Sequence, residues 1–196
     1  RRLSNPVWYG AGILTSEPFT TQTILNEVIK RDFRTESGHL WTASEHLILF
    51  FSSLRAETQR ALAALHRADI LPLLMKGTGL AYSHYPRPAL RPRADCDLLV
   101  APSQREPAQR ILHDLGYRRI GGPAGKFVGY QYELHRVDPH GVTHNVDLHW
   151  RISNAQSFAW LFAFDELAAA AVSVPMLGAN ARRLGDPHAL ALALLH

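Results

Sequence analysis

Apolar residues return at helical intervals in the first third of the chain and at strand intervals further on. Ile24, Leu25, Val28 and Ile29 follow a Thr-rich stretch at 20–23 that can supply a helix cap. Thr42-Ala43-Ser44-Glu45 has the capping-box pattern, in which hydroxyl and carboxylate satisfy free N–H groups reciprocally. Leu47, Ile48, Phe51 and Leu54 then recur at helical spacing, and Ala61, Leu62 and Leu65 resume it. The pattern predicts two or three helices over 20–68. Before it, Pro6, Gly10, Gly12 and Pro18 among aromatics make 1–19 an irregular lead-in.

The period then changes. Residues 70–75 form a short apolar run that ends at Lys76-Gly77-Thr78-Gly79, as a buried strand does when it enters a Gly-containing turn before a helix over 80–85. Residues 86–93 hold three prolines and three arginines and predict a loop. A second strand is expected over 95–100. Ser103-Gln104-Arg105-Glu106 is another capping-box pattern, with Ala108, Ile111, Leu112 and Leu115 on one helical face behind it. Gly116 stands where a helix C-terminal glycine belongs.

Residues 127–137 and 142–150 predict a β-hairpin around Asp138-Pro139-His140-Gly141, a type I turn pattern. On its second strand Val142, His144, Val146, Leu148 and Trp150 point one way, and Thr143, Asn145, Asp147 and His149 the other. The second set is polar throughout, so Asp147 belongs on an open sheet face. A helix over 155–171, a short strand over 172–176 and a last helix from Asp186-Pro187, with aspartate as cap, complete the reading. The sum is an α+β fold: a small mixed sheet with helices on one face and a helical N-terminal segment.

Composition narrows the setting only a little. An apolar fraction of 46% and a charged fraction of 19% are those of a packed globular protein. The net charge of +4 comes from interspersed charges with no run of five like signs; it suits a phosphate-bearing small ligand and does not by itself argue for nucleic acid, which is not the expected partner. One cysteine, Cys96, excludes an internal disulfide framework and fits a reducing compartment. No stretch reaches the roughly 18–20 apolar residues that span a bilayer, and no secretory signal is visible, so a cytoplasmic location without membrane association is expected.

The chemistry centres on Asp95-Cys96-Asp97. Two residues apart on a strand, Asp95 and Asp97 leave the same face, and adjacent like charges call for a cation. Mg²⁺ favours such oxygens and shares its shell with substrate phosphates; Mn²⁺ is the alternative. Cys96 faces the opposite way, into packing. A third carboxylate from a neighbouring strand would complete a two-metal site, with Asp147 the candidate and Glu133 its rival.

Lys76, Gly77 and Thr78 stand at the strand-to-helix turn suited to a triphosphate, and Arg91 and Arg93 precede the aspartates as phosphate clamps. His149 shares a face with Asp147 and is placed to contact nucleotide or orient a carboxylate. The histidines at 135, 140, 144 and 149 do not make a zinc set, since His144 and His149 fall on opposite strand faces. Gly121 to Lys126 is not a phosphate loop: its glycine spacing is one residue short and no helix follows.

Five blocks occur in order: Leu74-Met75-Lys76-Gly77-Thr78-Gly79-Leu80-Ala81; Tyr85-Pro86; Leu90-Arg91-Pro92-Arg93-Ala94-Asp95-Cys96-Asp97-Leu98-Leu99-Val100; Leu115-Gly116-Tyr117; and Val146-Asp147-Leu148-His149-Trp150. Together they resemble the uncharacterised nucleotidyltransferase family of the DNA polymerase β superfamily, over residues 57–196. The resemblance implies the polymerase-β palm, metal ligands at Asp95, Asp97 and Asp147, and nucleotide contact at Gly77 and Thr78. Gly77-Thr78 departs from the Gly-Ser usual in the superfamily. The chain is then expected to divide into an N-terminal segment, 1–56, and a nucleotidyltransferase domain, 57–196, continuing into helices beyond the C-terminus. The expected reaction is Mg²⁺-dependent transfer of an NMP group from an NTP to a hydroxyl on a small molecule, peptide or protein. A non-catalytic nucleotide- or partner-binding module on the same fold is the alternative, and phosphoester hydrolysis assisted by His149 a third.

Overall fold

The computed structural model describes residues 43–120, 129–139 and 141–195. The expected lead-in at 1–19, the helix around Ile24–Ile29 and the loop at 121–126 lie outside these. Helix α1 (Ala43–His66) begins one residue after Thr42 and runs unbroken for 24 residues. Its described part is therefore one helix where the apolar spacing suggested a pause between Leu54 and Ala61. The polar residues in that gap hold the helix together themselves: Arg60 pairs with Glu57 one turn earlier, and the Thr58 hydroxyl donates to the Leu54 carbonyl. The helix is continuous across residues 56 and 57.

Seven strands form one mixed sheet. They are β1 (Leu73–Leu74), β2 (Asp95–Leu99), β3 (Arg118–Arg119), β4 (Gln131–Val137), β5 (Thr143–His149), β6 (Val172–Ser173) and β7 (Arg182–Arg183). Across the sheet the order is β3-β4-β5-β2-β1-β7-β6. The centre is β2, parallel to β5 on one side and antiparallel to β1 on the other. The hairpin forms as the turn residues require: Gly141 N–H donates to the Asp138 carbonyl, Gly141 has φ +81°, and Val137 pairs with Thr143. His140 lies outside the described residues. This is the mixed α/β arrangement expected, with a larger sheet.

Short helices join the strands. Helix α2 (Lys76–Ala81) starts four residues earlier than expected, so Gly77 and Thr78 belong to its first turn rather than to a loop before it. Helix α3 (Arg105–Asp114) follows a 3₁₀ turn at Pro102–Gln104, and that turn displaces the capping box: Gln104 is the cap, and its side chain donates to the Asp69 carbonyl instead of capping. Its C-terminus closes as the sequence implied. Gly116 at φ +95° lets Tyr117 N–H reach the Leu112 carbonyl and Gly116 N–H the His113 carbonyl. The single helix expected over 155–171 is two, α4 (Gln156–Ala159) and α5 (Phe164–Ala169). Of the apolar residues Phe158, Leu161, Phe162 and Leu167 that set that expectation, the last two pack in the core while Phe158 and Leu161 are exposed, and Trp160 turns to Tyr130 and Arg151. Helix α6 (Asp186–Leu194) is capped by Gly185, and the Asp186 carboxylate bonds to Arg183 rather than capping.

Two cores share the sheet. The larger packs Leu62 and Leu65 of α1 and Leu112 of α3 against Leu74, Cys96, Leu98, Val146 and Leu148. The smaller lies on the other face at the β1–β7 side, where Leu73, Met75 and Leu99 meet Leu167 and Leu192 of α5 and α6. Helices thus occupy both faces, and the second face is left open over β4, β5 and the start of β2. Among the described residues no helix is long and apolar enough to cross a membrane.

Candidate functional site

Strand alternation sorts β2 into two sets. Cys96 and Leu98 enter the larger core, so Asp95 and Asp97 must leave the opposite face. Cys96 is buried there and its thiol is pushed up to about 12 by desolvation, which makes it a packing residue. Parallel pairing puts Asp97 directly opposite Asp147 on β5, and antiparallel pairing puts Asp147 opposite Glu133 on β4. Three carboxylates thus lie in one row across three strands, with Asp147 in the middle and Asp95 two residues along β2.

Asp97 is the hub. Its side chain is only 2% exposed, and its Oδ1 accepts from the Lys76 ammonium at 2.7 Å. His149 Nε2 lies 2.9 Å from the same oxygen. Burial works against the Asp97 charge, but the hydrogen bond from His149 and then the charge and bond of Lys76 outweigh it and hold its pKa low. Asp147 has less help: burial, then the charges of Asp97, Asp95 and Glu133, outweigh the charge of Lys76 and push it up to about 7. Partial desolvation and the Asp97 charge raise Asp95 as well. Burial lowers the pKa of His149 against the pull of Asp97, so the neutral ring donates from Nε2. Its Nδ1 is buried and has no partner among the described residues.

Asp97, Asp147 and His149 each offer a ligand atom, and these atoms lie within 4.8 Å of one another. Adjacent carboxylates, one of them raised to about 7 by burial and then by its neighbours' charge, and an imidazole are a donor set that a divalent cation fits. The description Uncharacterised nucleotidyltransferase belongs to the family whose pattern matches residues 34–196. The chain belongs to that family. No curated protein matches it.

Of the residues the sequence proposed, the fold brings Lys76, Asp95, Asp97, Asp147 and His149 together around one oxygen-rich face. Lys76 sits at φ +44°, in the left-handed region that costs a side-chain-bearing residue roughly 1–2 kcal/mol. Gly77 follows it in the first turn of α2. Thr78 is buried, and its hydroxyl donates inward to the Asp95 carbonyl at 3.2 Å, fixing the start of β2. Gly79 is needed for another reason: a Cβ there would lie 3.1 Å from the Leu74 carbonyl oxygen. Arg91 and Arg93 remain in the loop before β2. Arg91 reaches the Tyr85 hydroxyl at 3.4 Å, while Arg93 bonds Tyr82 and the Pro88 carbonyl. Glu133, the rival third carboxylate, is separated from Asp97 by Asp147.

Two residues escaped the sequence reading. Gln131 donates to Asp147 Oδ2 at 3.2 Å, and Asn154 donates to Gln131 Oε1 at 2.7 Å while accepting from Tyr130 N–H. Gln131 was legible, since it shares the alternation of Glu133 on β4. Asn154 lies in an irregular segment, where no periodicity points to it. A second cluster, Ser53, His144 and Asp138, has the composition of a nucleophilic triad without its geometry. Ser53 Oγ and Asp138 Oδ2 both approach Nε2 of His144, at 3.3 and 3.2 Å, whereas a triad needs the carboxylate on Nδ1. It ties the hairpin turn to α1.

Proposed function

We propose that this site transfers a nucleoside monophosphate from an NTP to an acceptor hydroxyl, on a polymerase-β-type palm, with Mg²⁺ or Mn²⁺ held by Asp95, Asp97 and Asp147. The observation that carries the reading is the register of β2 and β5, which sets Asp97 against Asp147 with Asp95 on the same face. The metal, when bound, would acidify the attacking hydroxyl and neutralise charge on the phosphates. The protein's own part is to hold the carboxylates apart from the core and in fixed orientation. Gln131 and Asn154 fix Asp147, His149 fixes Asp97, and Thr78 ties the β2 strand to α2. Family membership supports the reaction class and leaves the acceptor open among small molecules, peptides and protein side chains.

The test is equilibrium titration with ATP, GTP, CTP and UTP in the presence of Mg²⁺. At least one binds the wild type, and Asp95→Asn with Asp97→Asn abolishes the metal-dependent part. Folded protein that binds none of the four sinks the reading. An α-labelled NTP then separates transfer from hydrolysis: transfer leaves label on an acceptor, and hydrolysis releases free NMP.

A further inference from the structure

Among the described residues, one basic side chain is ion-paired to the carboxylate row, and its placement is unusual. Lys76 contacts the most buried of the four acidic groups, at 2.7 Å. Its own side chain is 24% exposed, so it is not sealed in. It makes this contact from a left-handed backbone that a lysine adopts only at a cost. The chain holds three lysines against eighteen arginines, so the basic residue chosen here is the rarer one. A lysine is a point charge on a flexible stem, with no fork to lock it onto a carboxylate.

Lys76 sits on the carboxylate that stands in register with Asp147. Asp97 Oδ1 already has His149 Nε2 at 2.9 Å as its other partner, and Asp147 stands in register beside it. A divalent ion held by Asp97 and Asp147 and an ammonium on Asp97 are like charges drawn to one carboxylate. The two therefore compete.

We infer that Lys76 is a built-in counter-cation that occupies the metal's place on Asp97 and is displaced when the metal binds. The inference rests on the metal-dependent reading above. Without metal, the ammonium offsets part of the row's negative charge and keeps Asp97 ordered. With metal, the flexible side chain leaves and its charge becomes free for a substrate anion. Lys76 is thus a positioning residue that sets the metal affinity of the resting protein.

The experiment is Mn²⁺ titration of the full chain without nucleotide, followed by the electron paramagnetic resonance signal of free Mn²⁺. Lys76→Asn and Lys76→Gly remove the charge, and both residues accept a positive φ, so each variant keeps the fold. Each binds Mn²⁺ about tenfold more tightly than wild type, whereas Lys76→Arg keeps the weak wild-type affinity. Acetylation read by mass spectrometry gives a second measure: Lys76 of the wild type reacts faster once Mn²⁺ is added. Equal or weaker Mn²⁺ binding by the two neutral variants overturns the inference and leaves the metal site standing. Unchanged Lys76 reactivity with Mn²⁺ bound also overturns it. Absence of Mn²⁺ binding in wild type and every variant removes the metal reading and the inference together.

Discussion

Two buried carboxylates, Glu57 and Asp97, lie on opposite faces of the same sheet, and their company differs. Glu57 on α1 accepts from Arg60 at 2.8 and 3.0 Å, pairs with Arg136 of β4 at 3.1 Å, and also bonds Tyr117. Burial opposes its charge, but Arg60, Tyr117 and Arg136 outweigh it and hold its pKa low. One acid facing two guanidinium groups is fully compensated. The Asp97 pKa is also held low, by one ammonium and an imidazole, while Asp95, Asp147 and Glu133 stand near it with no ion pair among the described residues. Among those residues the first cluster is complete, and the second is short of positive charge. Burial of a charged group therefore does not identify a site; the shortage does.

The largest effects should separate the two clusters cleanly. Asp97→Asn is expected to lower metal-dependent nucleotide turnover by more than the ~100-fold typical of losing an outer-shell partner, with little change in melting temperature. Gln131→Ala, which frees Asp147, falls within that outer-shell range, about 10- to 100-fold. Glu57→Gln should do the reverse. It leaves Arg136 unpaired in a partly buried place and costs about 2–3 kcal/mol of stability by denaturant unfolding. That lies at or below the low end for a sealed pair because Arg60 is partly exposed. Its Mn²⁺ affinity should stay at the wild-type value. A Glu57 variant that loses metal binding at intact fold would erase the distinction.

Much of this contrast is legible in the chain, and the limits are physical. Strand alternation alone sends Asp95 and Asp97 one way and Cys96 the other, and sends Asp147 to a polar face, because a period of two leaves no choice once one face is buried. What alternation cannot give is register. That Asp147 and not Glu133 adjoins Asp97 follows from β5 pairing with β2, a contact 50 residues apart in sequence. Lys76 is a similar case. Its position in a strand-to-helix turn was readable, but its left-handed φ and its reach to Asp97 belong to the folded turn. The split of α4 from α5 was hidden because Phe158 and Leu161 imitate a buried stripe while facing solvent. The Glu57 cluster was missed because each member looks like an ordinary surface charge on its own helix or strand.

Asp147 offers a subtler measure. Its folded pKa, about 7, lies above the unfolded value, so folding binds its proton more tightly than the unfolded chain does. The stability it contributes is present below about pH 4 and is lost as pH rises through about 7. Metal-free Asp147→Asn should therefore melt higher than wild type at pH 8, and the gap should narrow through pH 5 and close near pH 4. Adding Mg²⁺ at pH 8 raises the wild-type melting temperature and leaves the variant unchanged. The difference between the two proteins cancels His149, whose lowered pKa acts in the opposite direction as pH falls. A gap that is constant from pH 5 to 8 would mean that Asp147 is not strained by its acidic neighbours.

The smallest effect belongs to the residue between the two aspartates. Cys96→Ala removes one buried atom from the larger core and should cost about 1 kcal/mol, read by denaturant unfolding. Metal affinity and turnover should not change, although both sequence neighbours of Cys96 are site residues. The side chain points to Thr58 and Thr78, on the side of the sheet where charge is already balanced. A tenfold loss of Mn²⁺ affinity in this variant would show that the two faces are mechanically coupled through β2. Unchanged affinity would make the sheet a true partition, with packing on one side able to vary while the acidic row on the other keeps its register.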